Sequence, residues 1–256
     1  FTFLGKHYAR LPFAIVWANE INVAACRTYR RNFQKEIICG NVWDVMESMP
    51  QADVLIGGFP CQDISINGKG AGIQGQRSSL YKAMVEAIKL VKPSIFVAEN
   101  VKGLLMRHNR ASLLKILDDF NTLGYNTTYD LYNSADYEVP QTRERVFIVG
   151  TTQEAGTFTP PPPVLAKDQW ITAQAALADL EALEANPEIN HIWSRANRSS
   201  DQGNRHLDAN KPGYTIRAEC HGNIQYHYNI PRRISMREAA RIQSFPDEFI
   251  FEAKLR

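Results

Sequence analysis

"ADVLIGGFPCQDIS", residues 52–65, runs from apolar residues through two glycines and a proline to a cysteine. The apolar part lacks the polar alternation of a strand with one wet face and reads as a strand buried on both sides. The glycines and Pro60 suit a loop that presents a side chain better than one that packs a core. A strand ending in such a loop is the repeating unit of an open parallel sheet, whose ligands sit beyond the carboxyl ends of the strands. A cysteine without context is most often a small buried hydrophobe. The position of Cys61 points instead to a thiol offered to a ligand.

Working outward, the same unit recurs. "FAIVWA" (13–18), "EIIC" (36–39), "SIFVAE" (94–99), "NTTYDLY" (126–132) and "RVFIVG" (145–150) read as further strands. Between them, residues 22–33, 78–91 and 111–124 carry apolar residues at the helical period. In the last stretch Leu113, Leu114, Leu117 and Phe120 are expected on one face, with Gly124 as the stop. The alternation predicts an α/β fold over residues 1–150, a Rossmann-like, mostly parallel sheet covered by helices on both faces. Four consecutive prolines in "GTFTPPPPVLAK" (156–167) interrupt it, because they continue neither a helix nor a central strand. Beyond them only 171–183 reads as a helix until "SMREAARIQSF" (235–245), where Ser235 is an N-cap and Met236, Ala239, Ala240 and Ile242 form the expected apolar face. The division is a domain of residues 1–164 and 232–256 with a smaller, irregular domain, 165–231, inserted before the closing helix.

Three strand ends carry polar residues: Asn19 and Glu20, Pro60 and Cys61, and Glu99 and Asn100. Parallel strands bring all three to one rim. A carboxylate at the end of a buried strand is costly to ionise, so Glu99 is expected to be a proton donor. A thiol and a carboxylic acid on one rim suggest covalent attack assisted by proton transfer. Glu20 has the place of an acid that binds ribose hydroxyls. The glycine-rich loop "DISINGKGAGIQGQRSS" (63–79) lacks the spacing of a phosphate-binding loop and reads as a lid.

"GGFPCQDIS" (57–65), "AENVKGLL" (98–105), "VPQTRERVFIVG" (139–150) and "RRISMREAARIQSFPDEF" (232–249) occur in that order. By these four strings the chain resembles the DNA cytosine-5 methyltransferases, in the style of bacterial restriction-modification enzymes. The resemblance implies an S-adenosylmethionine-dependent methyltransferase fold with an inserted target-recognition domain. It makes Cys61 the nucleophile that adds to C6 of a flipped-out cytosine in duplex DNA. Glu99 is then the acid at N3, Asn100 a tie between catalytic loops, Arg145 a contact to the base and Arg143 its brace. Glu20, Asn41, Val42, Pro60 and Leu80 are implied cofactor contacts, and Gln62 and Ser65 DNA contacts. In the inserted domain Arg195, Arg198, Arg205, Arg217 and Gln225 are candidate readers of the DNA, since Arg and Gln match guanine and adenine edges.

Two departures from the family pattern stand out. Asn41 in "GNV" occupies the place of an Asp that accepts from the adenine amino group. The FxGxGG loop and its helix are absent after "FTF": only residues 4–12 separate Phe3 from Phe13. Residues left out between Phe3 and Leu4 are expected, as is a missing AsnXVal segment after "FPDEF".

A net charge of +2 on 256 residues advertises no overall attraction to a polyanion, so DNA must be met by a local basic patch. The four cysteines form neither a CxxC pair nor a Cys/His cluster, so no metal site or disulfide framework is expected and the thiols are expected to be reduced. The apolar runs are too short to span a bilayer. The expectation is a cytoplasmic monomer that uses S-adenosylmethionine and no metal and acts on double-stranded DNA, with a cognate restriction endonuclease as a further partner. A tRNA cytosine-5 methyltransferase and a non-catalytic DNA-binding fragment are the alternatives.

Overall fold

The computed structural model of the chain describes residues 2–9, 12–59, 79–194, 205–216 and 225–252. Strands β1 (Thr2–Phe3) and β2 (Lys6–His7) pair antiparallel, Phe3 opposite Lys6. Leu4 and Gly5 between them both adopt positive φ, 46° and 77°. That is the geometry of a two-residue hairpin turn.

Next come β3 (Asn19–Glu20), α1 (Val23–Phe33), β4 (Ile38–Cys39) and the single turn α2 (Val42–Val45). Asn22 caps α1, its side-chain oxygen accepting from the amides of Ala24 and Ala25 at 2.9 and 3.1 Å. β3 and β4 form a separate parallel pair, Glu20 opposite Cys39. The expected strand over 13–18 does not form: the ladder begins at Asn19, and Phe13, Ile15 and Val16 are exposed. An extended apolar run needs a hydrogen-bonding neighbour and a cover, and residues 13–18 have no strand partner among the described residues.

The central sheet is built from β5 (Val54–Gly58), α3 (Ser79–Val91), β6 (Ile95–Val101), α4 (Arg110–Thr122), β7 (Asn126–Asn133), β8 (Gln141–Thr142) and β9 (Glu144–Thr151). Its order is β5-β6-β9-β7, with β8 outside it. β5 and β6 are parallel, and β9 runs antiparallel to both β6 and β7, so three of the four strands point the same way. Phe96 and Ala98 of β6 are fully buried, in one cluster with Tyr81, Met84 and Ile88 of α3 and Leu113, Ile116 and Phe120 of α4. Ile56 of β5 is 74% exposed, so near this edge only the helix-covered face is sealed. The face of α4 also differs from the one expected. Ile116 belongs to it and Leu114 is exposed, because the i, i+3, i+4, i+7 row from Leu113 runs through Ile116, Leu117 and Phe120. Gly124 ends the helix turn as expected, with φ of 91°.

The rest of the chain holds α5 (Ala173–Leu177), β10 (Arg205–His206), β11 (Gly213–Tyr214), β12 (Gln225–Tyr226) and α6 (Met236–Ile242). α5 covers only part of the expected helix 171–183. A second core joins Ala173, Ala176, Leu177 and Leu180 to Leu207 and Ile242. The Ser235 N-cap is present as a capping box: its hydroxyl accepts from the Glu238 amide at 3.0 Å, and Glu238 accepts from the Ser235 amide at 2.7 Å. The buried face of α6 is not the expected apolar one, for Arg237, Glu238 and Arg241 are buried with Ala240 and Ile242. Each buried charge is satisfied. Arg232 grips Glu238 through two bonds of 2.7 Å, and Arg237 donates to the carbonyls of Ile189, Pro246 and Phe249 at 2.6–3.0 Å. Among the described residues no helix is long and apolar enough to cross a membrane.

Gly150 lies directly opposite Phe96 in the ladder, and a Cβ there would sit 2.0 Å from the ring. Gly150→Ala is expected to lower stability by about 2–3 kcal/mol, the upper range for overpacking a core. An unchanged urea midpoint for this variant would contradict the packing.

Candidate active site

Parallel pairing of β5 with β6 places Gly58 opposite Glu99 at the carboxyl ends of both strands. The absence of a side chain at Gly58 leaves room for the acid: a Cβ there would lie 3.2 Å from Glu99 Oε2. Antiparallel pairing of β6 with β9 sets Val101 opposite Arg145 and Glu99 opposite Phe147. Glu99 and Arg145 are thus diagonal neighbours on one face. Arg145 Nε lies 2.6 Å from Glu99 Oε1 without the alignment of a hydrogen bond, an ion pair at the rim, while Arg145 Nη1 donates to the Glu144 carbonyl at 2.8 Å. The Glu99 side chain remains 37% exposed. The expectation that it is desolvated by a buried strand does not hold, because the strand end opens at the rim.

Asn100, one residue on, points the other way and is 1% exposed. Its amide nitrogen donates to the Phe59 carbonyl at 3.0 Å, and its oxygen accepts from the Val101 amide at 2.8 Å. The Phe59 ring packs edge-on against Tyr81 at 5.3 Å, and the Tyr81 hydroxyl donates to Asp119 at 2.5 Å. The segment leading to Cys61 is therefore anchored by its backbone and its ring, two residues ahead of the thiol. Pro60, Cys61, Gln62 and Ser65 lie outside the described residues, as do Arg195, Arg198 and Arg217.

Arg143 extends the site toward the second core. Its amide donates to Asn133 Oδ1 at 3.2 Å, its carbonyl accepts from the Ser134 amide at 3.0 Å, and its Nη1 donates to the Ile216 carbonyl at 3.2 Å. Burial and the neighbouring Arg145 hold its guanidinium below the ordinary arginine range. β8 and β11 pair in parallel beside it, and the Thr142 and Thr215 hydroxyls donate across to the carbonyls of Gly213 and Thr142. Sequence reasoning did not single out Asn133, Thr142 or Thr215. An Asn closing a strand ahead of "SADY" was the available signal for the first, and the threonines carried none.

On the separate β3–β4 pair, Glu20 Oε1 accepts from the Asn22 amide at 2.7 Å. Asn19 Nδ2 bridges the carbonyls of Ile38 and Gly40 at 2.9 and 3.0 Å. Asn41 caps α2, its Oδ1 accepting from the Trp43 amide at 3.1 Å, with Val42 beginning that turn. Leu80 is exposed on the first turn of α3. Gln225 departs from its expected place. It is 3% exposed, and its Nε2 donates to the Tyr214 carbonyl at 3.2 Å, so its amide supports β11 inside the fold and does not face DNA.

The family model described as C-5 cytosine-specific DNA methylase matches residues 3–212 and 185–255. The chain is 34% identical over 283 residues to the Type II methyltransferase M.NgoFVII of Neisseria gonorrhoeae, covering 97% of this chain and 75% of that one. It is 32% identical to the Type II methyltransferase M.BbvI of Brevibacillus brevis, covering 94% and 75%. Among solved structures, the Dnmt2 methyltransferase of S. pombe superposes with a TM-score of 0.57 at 16% identity, over 93% of this chain and 82% of that one, a likeness of fold.

Removing the Asn100 amide leaves the buried Phe59 carbonyl without its donor. Asn100→Ala is expected to cost about 1–3 kcal/mol, the penalty for an orphaned buried acceptor. Chemical denaturation of the variant beside the parent checks this, and a loss within error would show that the contact anchors nothing.

Proposed function

The chain belongs to the C-5 cytosine-specific DNA methylase family and is a DNA cytosine-5 methyltransferase; on that premise we propose how its own residues divide the chemistry. The observation that carries the reading is the rim itself, where Glu99 and Arg145 meet on one face and Asn100 anchors the approach to Cys61 from the other.

Cytosine C5 is a weak carbon nucleophile. Cys61 as thiolate forms a bond from Sγ to C6 of the base, and the electron pair displaced onto the ring makes C5 nucleophilic. Glu99 hydrogen-bonds the N3 edge and supplies the proton that keeps charge from building up on the ring. Arg145 faces the base oxygen and orients Glu99, and Arg143 braces this arm against the Ile216 carbonyl. After C5 has been methylated, its proton is lost to a base, the Cys61–C6 bond breaks and the thiolate leaves. A base inside a duplex cannot reach such a rim, so the target is flipped out of the stack.

S-adenosylmethionine supplies an electrophilic methyl group on sulfur. The donor set at β3 and α2 fits its nucleoside: the Glu20 carboxylate can accept from both ribose hydroxyls, and Asn41 Oδ1 keeps a lone pair for the adenine amino group. Val42, Pro60 and Leu80 are proposed as its apolar contacts. Residues 165–231 are proposed as the target-recognition part, with Arg195, Arg198 and Arg217 on the DNA and Gln62 and Ser65 beside the flipped base. The names of the relatives as Type II methyltransferases support a restriction endonuclease of the same specificity as a partner.

Cys61→Ala is expected to abolish methyl transfer to duplex DNA and to prevent a covalent adduct with DNA containing 5-fluorocytosine, whose fluorine does not leave as a proton does. An adduct that survives the substitution would sink the nucleophile assignment. Glu99→Gln keeps shape but cannot donate the same proton, so turnover is expected to fall by roughly 10²–10⁴ with DNA binding retained. Near-normal turnover would reduce Glu99 to a structural partner of Arg145.

A further inference from the structure

Two thiols lie under the proposed ribose carboxylate. Cys26 sits on α1, fully buried, and its Sγ donates to the Glu20 carbonyl at 3.3 Å. The same carbonyl accepts from the Gly40 amide at 3.0 Å, so Cys26 and the residue following Cys39 converge on one oxygen. Cys39 is the direct ladder partner of Glu20 and is exposed. Burial, with the neighbouring Cys39 thiol as the next cause, pushes the Cys26 thiol up to about 11. One thiol is thus accessible and the other shielded, side by side, across the short parallel pair that carries Glu20.

We propose that Cys26 and Cys39 form a peroxide-sensitive dithiol whose oxidation to a disulfide weakens binding of the nucleoside cofactor at Glu20. In the first step the Cys39 thiolate attacks hydrogen peroxide. A sulfur–oxygen bond forms, the oxygen–oxygen bond breaks, and hydroxide leaves a sulfenic acid on Cys39. Cys26 Sγ then attacks the Cys39 sulfur. The disulfide forms, the sulfur–oxygen bond breaks, and the departing hydroxide takes up the Cys26 proton as water. Two thiols lose two electrons and two protons, and one peroxide becomes two waters. The shielded Cys26 is a slow nucleophile in solution, but proximity to Cys39 makes it the resolving thiol.

The functional consequence follows from what Cys26 gives up. A disulfide has no S–H, so the Glu20 carbonyl loses one of its two donors. The new bond also ties β4 to α1 beside the carboxylate whose oxygen is set by the Asn22 amide. The effect on cofactor rests on the proposed role of Glu20, whereas formation of the disulfide does not.

The test uses the full chain, reduced or treated with hydrogen peroxide, and reads S-adenosylmethionine affinity by calorimetry, since activity would also report oxidation of Cys61. Digestion without reductant is expected to yield a Cys26–Cys39 cross-linked peptide lighter by two hydrogens. Affinity is expected to fall about tenfold, the equivalent of one lost hydrogen bond, and to return with a dithiol reductant. Cys39→Ser keeps Cys61 and Cys220 and is expected to bind cofactor equally well before and after peroxide. Absence of the cross-linked peptide, an equal loss of affinity in Cys39→Ser, or unchanged affinity in the cross-linked protein overturns the proposal. If the reduced chain itself fails to bind S-adenosylmethionine, the Glu20 assignment fails, and with it the proposed effect on binding; the digest still reports the thiol pair separately.

Discussion

One backbone register governs the molecule, that of β6. Five of its seven residues pair in parallel with β5 on one side, and all seven pair antiparallel with β9 on the other. Side chains alternate across it, so Phe96, Ala98 and Asn100 point into the helix-covered core while Glu99 emerges at the rim. A slip of one residue against β5 would bury the carboxylate and expose two core side chains. The same register brings Arg145 to the diagonal of Glu99 and sets Gly58, where a Cβ would lie 3.2 Å from Oε2, beside the acid. Chemistry at the rim and packing in the core are two readouts of a single ladder.

How much of this was legible in the sequence depends on what each signal encodes. "ADVLIGGF" and "SIFVAEN" announced their strands and the rim, because a buried strand must be apolar and must stop where polar residues begin. "FAIVWA" has the same composition and did not become a strand, since composition states a preference for burial and cannot supply the neighbouring strand. In α4 the helical period was clear, but the choice between Leu114 and Ile116 depended on which side of the helix met Phe96. The charged face of α6 was hidden for a related reason. Arg237, Glu238 and Arg241 look like solvent-facing residues until the carbonyls of 189, 246 and 249 and the guanidinium of Arg232 are known to surround them. Gln225 misled in the opposite direction, as a polar side chain whose partner is a backbone carbonyl inside the fold.

The two cores communicate through polar contacts. β8 touches β11 over two residue pairs, and the threonine hydroxyls and the Arg143 guanidinium complete the seam. A seam of directed bonds fixes orientation more than it adds stability, because each bond replaces one to water. That suits a place where Arg143 must be held at a definite angle to Arg145. The Arg232–Glu238 pair plays the corresponding part within the second core: replacing both partners could be neutral, but removing one strands a buried charge.

The open side of β5 has a colloidal consequence. Among the described residues β5 is an edge strand that shows Ile56 to solvent, and such an edge is a template on which a second molecule can add a strand of its own. With so small a net charge there is little mutual repulsion to keep copies apart at neutral pH. Crowding therefore favours self-association along this edge, so the strand that carries the rim chemistry at its end, where Gly58 lies opposite Glu99, also carries the risk of association along its side.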